Sequence, residues 1–161
     1  MDYLWTPWRY HYISGAAGDN QPDCIFCDAA GRRDDPVTLV VHRGVECFVI
    51  LNRYPYTSGH VMVVPYAHVP DLSLCDAATL NEMMQLARRV EGALKSLYKP
   101  DGLNLGMNLG RAAGAGIAGH LHMHALPRWI GDTNFMTVTG ETRVHPEDLA
   151  TTYSRLREAL A

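Results

Sequence analysis

Apolar residues recur three and four apart most regularly over residues 77–97. Leu80, Met83, Met84, Ala87, Val90, Leu94 and Leu97 form one stripe that only Glu91 breaks, which predicts a long amphipathic helix. Asp76 stands where an N-cap belongs, and Pro100 stops the helix from continuing. The Met83–Met84 pair reads as core packing. Elsewhere the period is two. Residues 38–42 (TLVVH) and 46–52 (ECFVILN) predict a hairpin around Arg43-Gly44-Val45, and 60–66 (HVMVVPY) a third strand that Pro65 ends or places at an edge. Over 103–109, Leu103, Leu105, Met107 and Leu109 alternate with Asn104, Gly106 and Asn108. Over 120–126, Leu121, Met123 and Ala125 alternate with His120, His122 and His124. A short helix is expected from about Glu147 to Leu160, with Pro146 near its first turn. Strands outnumber helices and the early ones are joined closely. The expected architecture is therefore α+β: a mainly antiparallel sheet with one long helix and a short C-terminal helix.

The 161 residues make one domain rather than two, with an N-terminal arm (1–23) and a C-terminal tail and helix (128–161). Residues 14–23 read as a flexible loop. With 47% hydrophobic and 19% charged residues, the chain can bury a core without disulfide staples. A net charge of -3 argues against a general nucleic-acid binder. No run is long and apolar enough for a membrane span, and residues 1–13 lack the apolar centre of a signal peptide, so the expected location is the cytoplasm. In that reducing setting, Cys24-Ile25-Phe26-Cys27 reads as a metal or redox motif before a disulfide, and no convincing strand precedes it as a thioredoxin-like site requires. Cys47 and Cys75 read as ordinary thiols.

The chemistry concentrates in Gly119-His120-Leu121-His122-Met123-His124-Ala125-Leu126. Histidines at i, i+2 and i+4 of a strand share one face, with Cα atoms roughly 6.5 Å apart per step. Packing is a poor explanation for three imidazoles opposite an apolar stripe. A zinc held by imidazoles and nucleophilic catalysis by one histidine both fit. Upstream, Gly110-Arg111-Ala112-Ala113-Gly114-Ala115-Gly116-Ile117-Ala118-Gly119 holds four glycines in ten residues, a loop whose backbone amides can approach phosphate oxygens closely. Asn108 and Arg128 add polar groups at either end.

The His-φ-His-φ-His-φ-φ run, with Gly59-His60 leading to Pro65, resembles the histidine triad superfamily of nucleotidyl hydrolases and transferases over roughly Cys24 to Trp129. Asn52-Arg53-Tyr54-Pro55 is similar to the fragile-histidine-triad branch. Leu4-Trp5-Thr6-Pro7-Trp8-Arg9, the loop Ala113–Ala118 and the segment Pro127–Met136 are more similar to bacterial diadenosine tetraphosphate phosphorylase-like members.

The resemblance implies that His122 is the nucleophile on the α-phosphorus, with His60 and His124 stabilising charge on the non-bridging oxygens and Asn108 beside the phosphate. It matches Asn52 to the residue that grips ribose hydroxyls; Phe48, Ile50 and Leu51 would help line the base pocket, and an ordinary buried strand would read the same. Where many members place a Ser or Thr this chain has Ile117, and its glycine loop is one residue longer, so backbone amides from Gly114 through Gly116 to Ala118 must take over that contact. Arg111 and Arg128, with a magnesium ion carried by the substrate, would offset polyphosphate charge, and Trp129 and Phe135 would cover a neighbouring site or pad a dimer seam. Members with C-x-x-C imply a closed structural zinc on Cys24, Cys27, His68 and His120, which takes His120 out of the chemistry. The resemblance also implies a homodimer. Three other functions share these residues: a nucleoside phosphoramidase, a zinc metallohydrolase on His120, His122 and His124, and a nucleotide-binding regulator without catalysis.

Overall fold

A computed structural model of the chain describes residues 22–132 and 147–161. Trp5, Trp8, Phe135, Pro146 and most of the 14–23 loop lie outside them. Two short helices come first, Ile25–Gly31 (α1) and Asp35–Thr38 (α2). Strands Val40–Arg43 (β1), Cys47–Leu51 (β2) and Val61–Pro65 (β3) follow, then the helix Ala77–Tyr98 (α3). Strands Gly102–Met107 (β4) and Met123–Arg128 (β5) precede the C-terminal helix Leu149–Ala159 (α4). The sheet order is β1-β2-β3-β5-β4, and every neighbouring pair is antiparallel.

α3 forms where its stripe predicts. Asp76 caps it by accepting from the Thr79 amide at 2.8 Å, and Lys99 closes it in the left-handed conformation. Its buried face is Thr79, Met83, Leu86, Ala87, Val90, Ala93 and Leu94. The expectation of a buried methionine pair fails for Met84, which is 58% exposed. One residue turns a helix by about 100°, which carries Met84 out of the stripe that Met83 occupies.

β1 begins two residues later than expected. Asp34-Asp35-Pro36 starts α2 instead, and Thr38 is consumed by that helix turn before Leu39 reverses the chain at φ 66°. α1 and α2 are seven and four residues long, too short to display a helical period in the sequence. β3 does end at Pro65, although it lies between β2 and β5 rather than at an edge. β4 is an edge strand, as β1 is at the other end of the sheet. The apolar and polar residues of β4 alternate in sequence, but Leu105 on it is 48% exposed and Leu109, two residues past its end, is 42% exposed. The reason is position: α3 packs on β5, β3 and β2, and β4 lies beyond it.

The sheet has a core on each face. Val41, Val49, Leu51, Val61, Val63, Met123 and Ala125 pack under α3 with Leu156 and Leu160. On the other face Val40, Phe48, Ile50, Met62 and Val64 pack with Cys24, Phe26 and Ala29 of the α1 segment. α1 is fastened there by Arg43, whose guanidinium donates to the Ala29, Ala30 and Arg32 carbonyls and to Asp35. α3 is fastened to the β1–β2 turn by Glu82, whose carboxylate accepts from the amides of Val45, Glu46 and Cys47. Burial opposes ionisation of Glu82, and those three amides outweigh it, so its pKa is lowered.

Candidate functional site

The histidine run alternates as its spacing predicts, although the hydrogen-bonded strand begins only at Met123. Leu121, Met123 and Ala125 enter the core under α3, which turns His120, His122 and His124 to the opposite face. His60 joins them from the start of β3, because Met62 pairs with His124 and Val61 with Ala125. The turn before His60 depends on Gly59. Its φ is 82°, and a Cβ there would lie 2.9 Å from the Tyr98 ring.

Backbone groups determine which nitrogen of each imidazole carries its proton. His122 Nδ1 lies 2.8 Å from the His120 carbonyl oxygen, which can only accept. His122 therefore donates from Nδ1, and its Nε2 carries the lone pair. The Tyr56 amide can only donate, and it lies 3.2 Å from His60 Nδ1. Neutral His60 then donates from Nε2 to His124 Nδ1 at 3.0 Å, leaving the proton of His124 on Nε2. Burial is the leading cause of lowered pKa values at His60, His122 and His124. Aided by its histidine neighbours, it takes His60 down to about 3, and His124 falls to about 4. Near neutral pH the cluster thus offers an acceptor at His122 Nε2 and a donor at His124 Nε2. His60 is 1% exposed and has both nitrogens engaged, Nδ1 by the Tyr56 amide and Nε2 by His124.

His120 faces a second centre. Its Nε2 donates to the Pro65 carbonyl at 2.9 Å, and its Nδ1 lies 3.3 Å from Cys24 Sγ and 3.6 Å from Cys27 Sγ. Cys27 Sγ is 3.2 Å from His68 Nδ1. The ligand atoms of Cys24, Cys27, His68 and His120 all lie within 4.8 Å of one another. Around one tetrahedral zinc, sulfur at about 2.3 Å and nitrogen at about 2.1 Å are separated by about 3.3–3.8 Å, so spacing and donor set both fit that ion. His122 and His124 do not belong to this group.

The remaining predicted residues divide. Asn108 is half-buried and follows Met107, the partner of Met123, so β4 delivers it next to the point where His122 enters β5. Asn52 follows β2, and its Oδ1 accepts from the Tyr54 amide at 2.9 Å. Phe48 and Ile50 occupy the histidine-bearing face, and Ile117 packs against their cluster. Gly114 ends a 3-10 turn over Arg111–Ala113 at φ 87°, a conformation that favours glycine; Gly114, Gly116 and Arg111 are exposed. Leu51 is not brought to the site. It is 2% exposed in the core under α3, because the two-residue period of β2 puts it opposite Phe48 and Ile50. Arg128 and Trp129 are also elsewhere. β5 continues to Arg128, about 20 Å from His122. There Arg128 pairs with Asp132 and Asn104, and Trp129 meets Tyr98 edge-on at 6.5 Å.

Sequence reading missed two residues at the site. The Tyr56 ring lies 4.7 Å from that of His60 and 6.3 Å from that of His124, and the Phe26 ring lies 5.3 Å from His120 and 5.0 Å from His122. An aromatic in a turn and one between two cysteines carry no periodic signal. The available cue was their adjacency to the Gly59-His60 and C-x-x-C motifs.

Comparison with known proteins agrees with this geometry. A family model described as "HIT domain" matches residues 35–129. An AP-4-A phosphorylase of Mycobacterium tuberculosis is 38% identical over 157 residues, covering 94% of this chain and 80% of that protein. The crystal structure of a Zn-bound histidine triad family protein from Mycobacterium smegmatis is 29% identical with a TM-score of 0.68, covering 86% of this chain and 93% of that one. A hypothetical histidine triad nucleotide-binding protein from Sulfolobus tokodaii is 28% identical with a TM-score of 0.65, covering 85% and 91%. With a family model spanning more than half of its length, this chain belongs to the HIT domain family.

Proposed function

We propose that the protein is a nucleotidyl transferase that cleaves dinucleoside polyphosphates such as diadenosine tetraphosphate at the α-phosphate and passes the nucleotide to inorganic phosphate. The observation that carries this reading is the 2.8 Å contact of His122 Nδ1 with the His120 carbonyl, which leaves Nε2 as a neutral lone pair. In the first step His122 Nε2 attacks the α-phosphorus. An N–P bond forms, the bond to the bridging oxygen breaks, and the remaining nucleoside polyphosphate leaves as its anion, while His124 Nε2–H donates a hydrogen bond that stabilises charge on the phosphate oxygens. Phosphate then attacks the nucleotidyl-histidine, restoring Nε2. Asn108 and the amides of Gly114 through Ala118 are suited to hold phosphate oxygens, and Asn52 a ribose. Similarity to the mycobacterial AP-4-A phosphorylase supports phosphate as the acceptor.

Cys24, Cys27, His68 and His120 would hold a zinc whose four protein ligands leave no open position, so it supplies structure and no chemistry. Metal analysis of the Cys24→Ser, Cys27→Ser double variant should show its loss. Retained zinc would favour a metallohydrolase on the remaining histidines. Among the described residues magnesium has no ligand group of its own, so it would arrive on the polyphosphate. The exposed β4 edge with Leu105, and Leu109 just beyond it, suits pairing with a second copy of the chain. Among the described residues no helix is long and apolar enough to cross a membrane, and the free thiols suit the reducing cytoplasm.

Product analysis with and without phosphate tests the reaction. Phosphate-dependent ADP plus ATP from diadenosine tetraphosphate is expected. AMP plus ATP independent of phosphate would make it a hydrolase, and turnover of only nucleoside phosphoramidates would overturn the substrate class.

A further inference from the structure

The C-x-x-C segment supplies more than two thiols. Between its cysteines stands Phe26, 1% exposed, whose ring touches both the metal-centre histidine and the proposed nucleophile. Among the described residues, the rings against His122 are Phe26 at 5.0 Å, tilted 46°, and His124 at 4.9 Å, edge-on at 76°. One hydrogen bond, from Nδ1 to the His120 carbonyl, leaves an imidazole free to swing about that contact. Two rings packed against it restrict that swing.

Phe26 is itself held firmly. It packs with Phe48, Ile50, Met62 and Val64. Arg43 ties the far end of its helix to β1 through the Ala29, Ala30 and Arg32 carbonyls. The near end is tied by Cys24 and Cys27 to His120 and His68. We propose that Phe26 is a positioning residue for His122: wedged behind the imidazole by the helix that carries Cys24 and Cys27, it keeps Nδ1 on the His120 carbonyl and Nε2 turned toward the substrate. This rests on the reading of His122 as the nucleophile. It gives the cysteine segment a direct role at the reaction centre, beside any metal it holds.

The test uses the full chain with zinc supplied, and compares Phe26→Leu and Phe26→Met with Val40→Ala. Val40 belongs to the same apolar cluster but lies on β1, three strands from His122. Single-turnover formation of the nucleotidyl enzyme from diadenosine tetraphosphate should slow about 10- to 100-fold in the Phe26 variants, with KM nearly unchanged and zinc content intact. In 15N spectra, the His122 signals, assigned by their loss in His122→Asn, should change from one tautomer, protonated at Nδ1, to a mixture. Val40→Ala should keep both the rate and the single tautomer. Native rates and an unchanged His122 spectrum in whichever Phe26 variant folds would overturn the inference. So would an equal loss in Val40→Ala at matched melting temperature, because that assigns the effect to core packing. Full turnover by His122→Asn would instead overturn the nucleophile assignment, and this inference with it.

Discussion

Under α3, Val49, Val61, Val63, Met123 and Ala125 meet Met83, Leu86, Val90 and Leu94, and only area and fit matter. On the opposite face of the same strands, His122 and His124 stand beside Phe26, Tyr56 and a cluster of two thiols and two imidazoles, where the direction of each N–H matters. The strands' two-residue period serves both faces at once, since each residue buried beneath α3 aims its neighbour at the site. Burial has opposite consequences on the two sides. Beneath α3 it stabilises the fold at about 25 cal/mol per Å² of apolar surface. Around the histidines it opposes protonation, which keeps the imidazoles neutral and one of them nucleophilic.

That contrast can be broken from either side. The largest stability effect is expected from Leu86→Ala, which opens a cavity beneath α3 and should cost about 2–5 kcal/mol in urea denaturation. Turnover per folded molecule should stay native, and a matched fall in kcat would mean that the two faces are not separable. Acid should act from the histidine side. A neutral buried imidazole resists a proton that the unfolded chain accepts near pH 6.5, so stability is present above that value and falls as pH drops toward about 4. For His124 alone the loss is on the order of 3 kcal/mol. Melting temperature should therefore decline between pH 6.5 and 4.5, above the usual carboxylate range of about 4. A flat profile there would refute the neutral, buried pair.

Smaller changes sharpen the comparison. Glu82→Gln replaces an anion serving three amides with a neutral group and should cost about 1–3 kcal/mol while sparing turnover per folded molecule. Asp76→Ala removes the N-cap of α3 and should cost about 1 kcal/mol, read as a small shift of the urea midpoint. Activity loss beyond the unfolded fraction in either variant would show that the helix-covered face also tunes the site.

What the sequence disclosed follows the same divide. α3, the strands and the placement of His120, His122 and His124 on one face were readable because periods of 3.6 and two are local properties. The grouping of Cys24 and Cys27 with His68 and His120 was readable only through resemblance, since it joins positions 96 residues apart. Tyr56 and Phe26 were not readable, because a ring's value there depends on which histidine it meets. Leu51 and Arg128 lie away from the histidine cluster for a geometric reason: one is a single residue out of phase with its strand's site face, and the other is at the far end of a strand longer than its histidine motif.

The most direct measurement is the intact mass of the enzyme quenched in alkali during turnover of diadenosine tetraphosphate, followed by peptide mapping. The account predicts an added AMP on the peptide carrying His122, absent from His122→Ala, which should fold but lose at least about 10⁴-fold in turnover. An adduct on another residue, or undiminished turnover by His122→Ala, would contradict it.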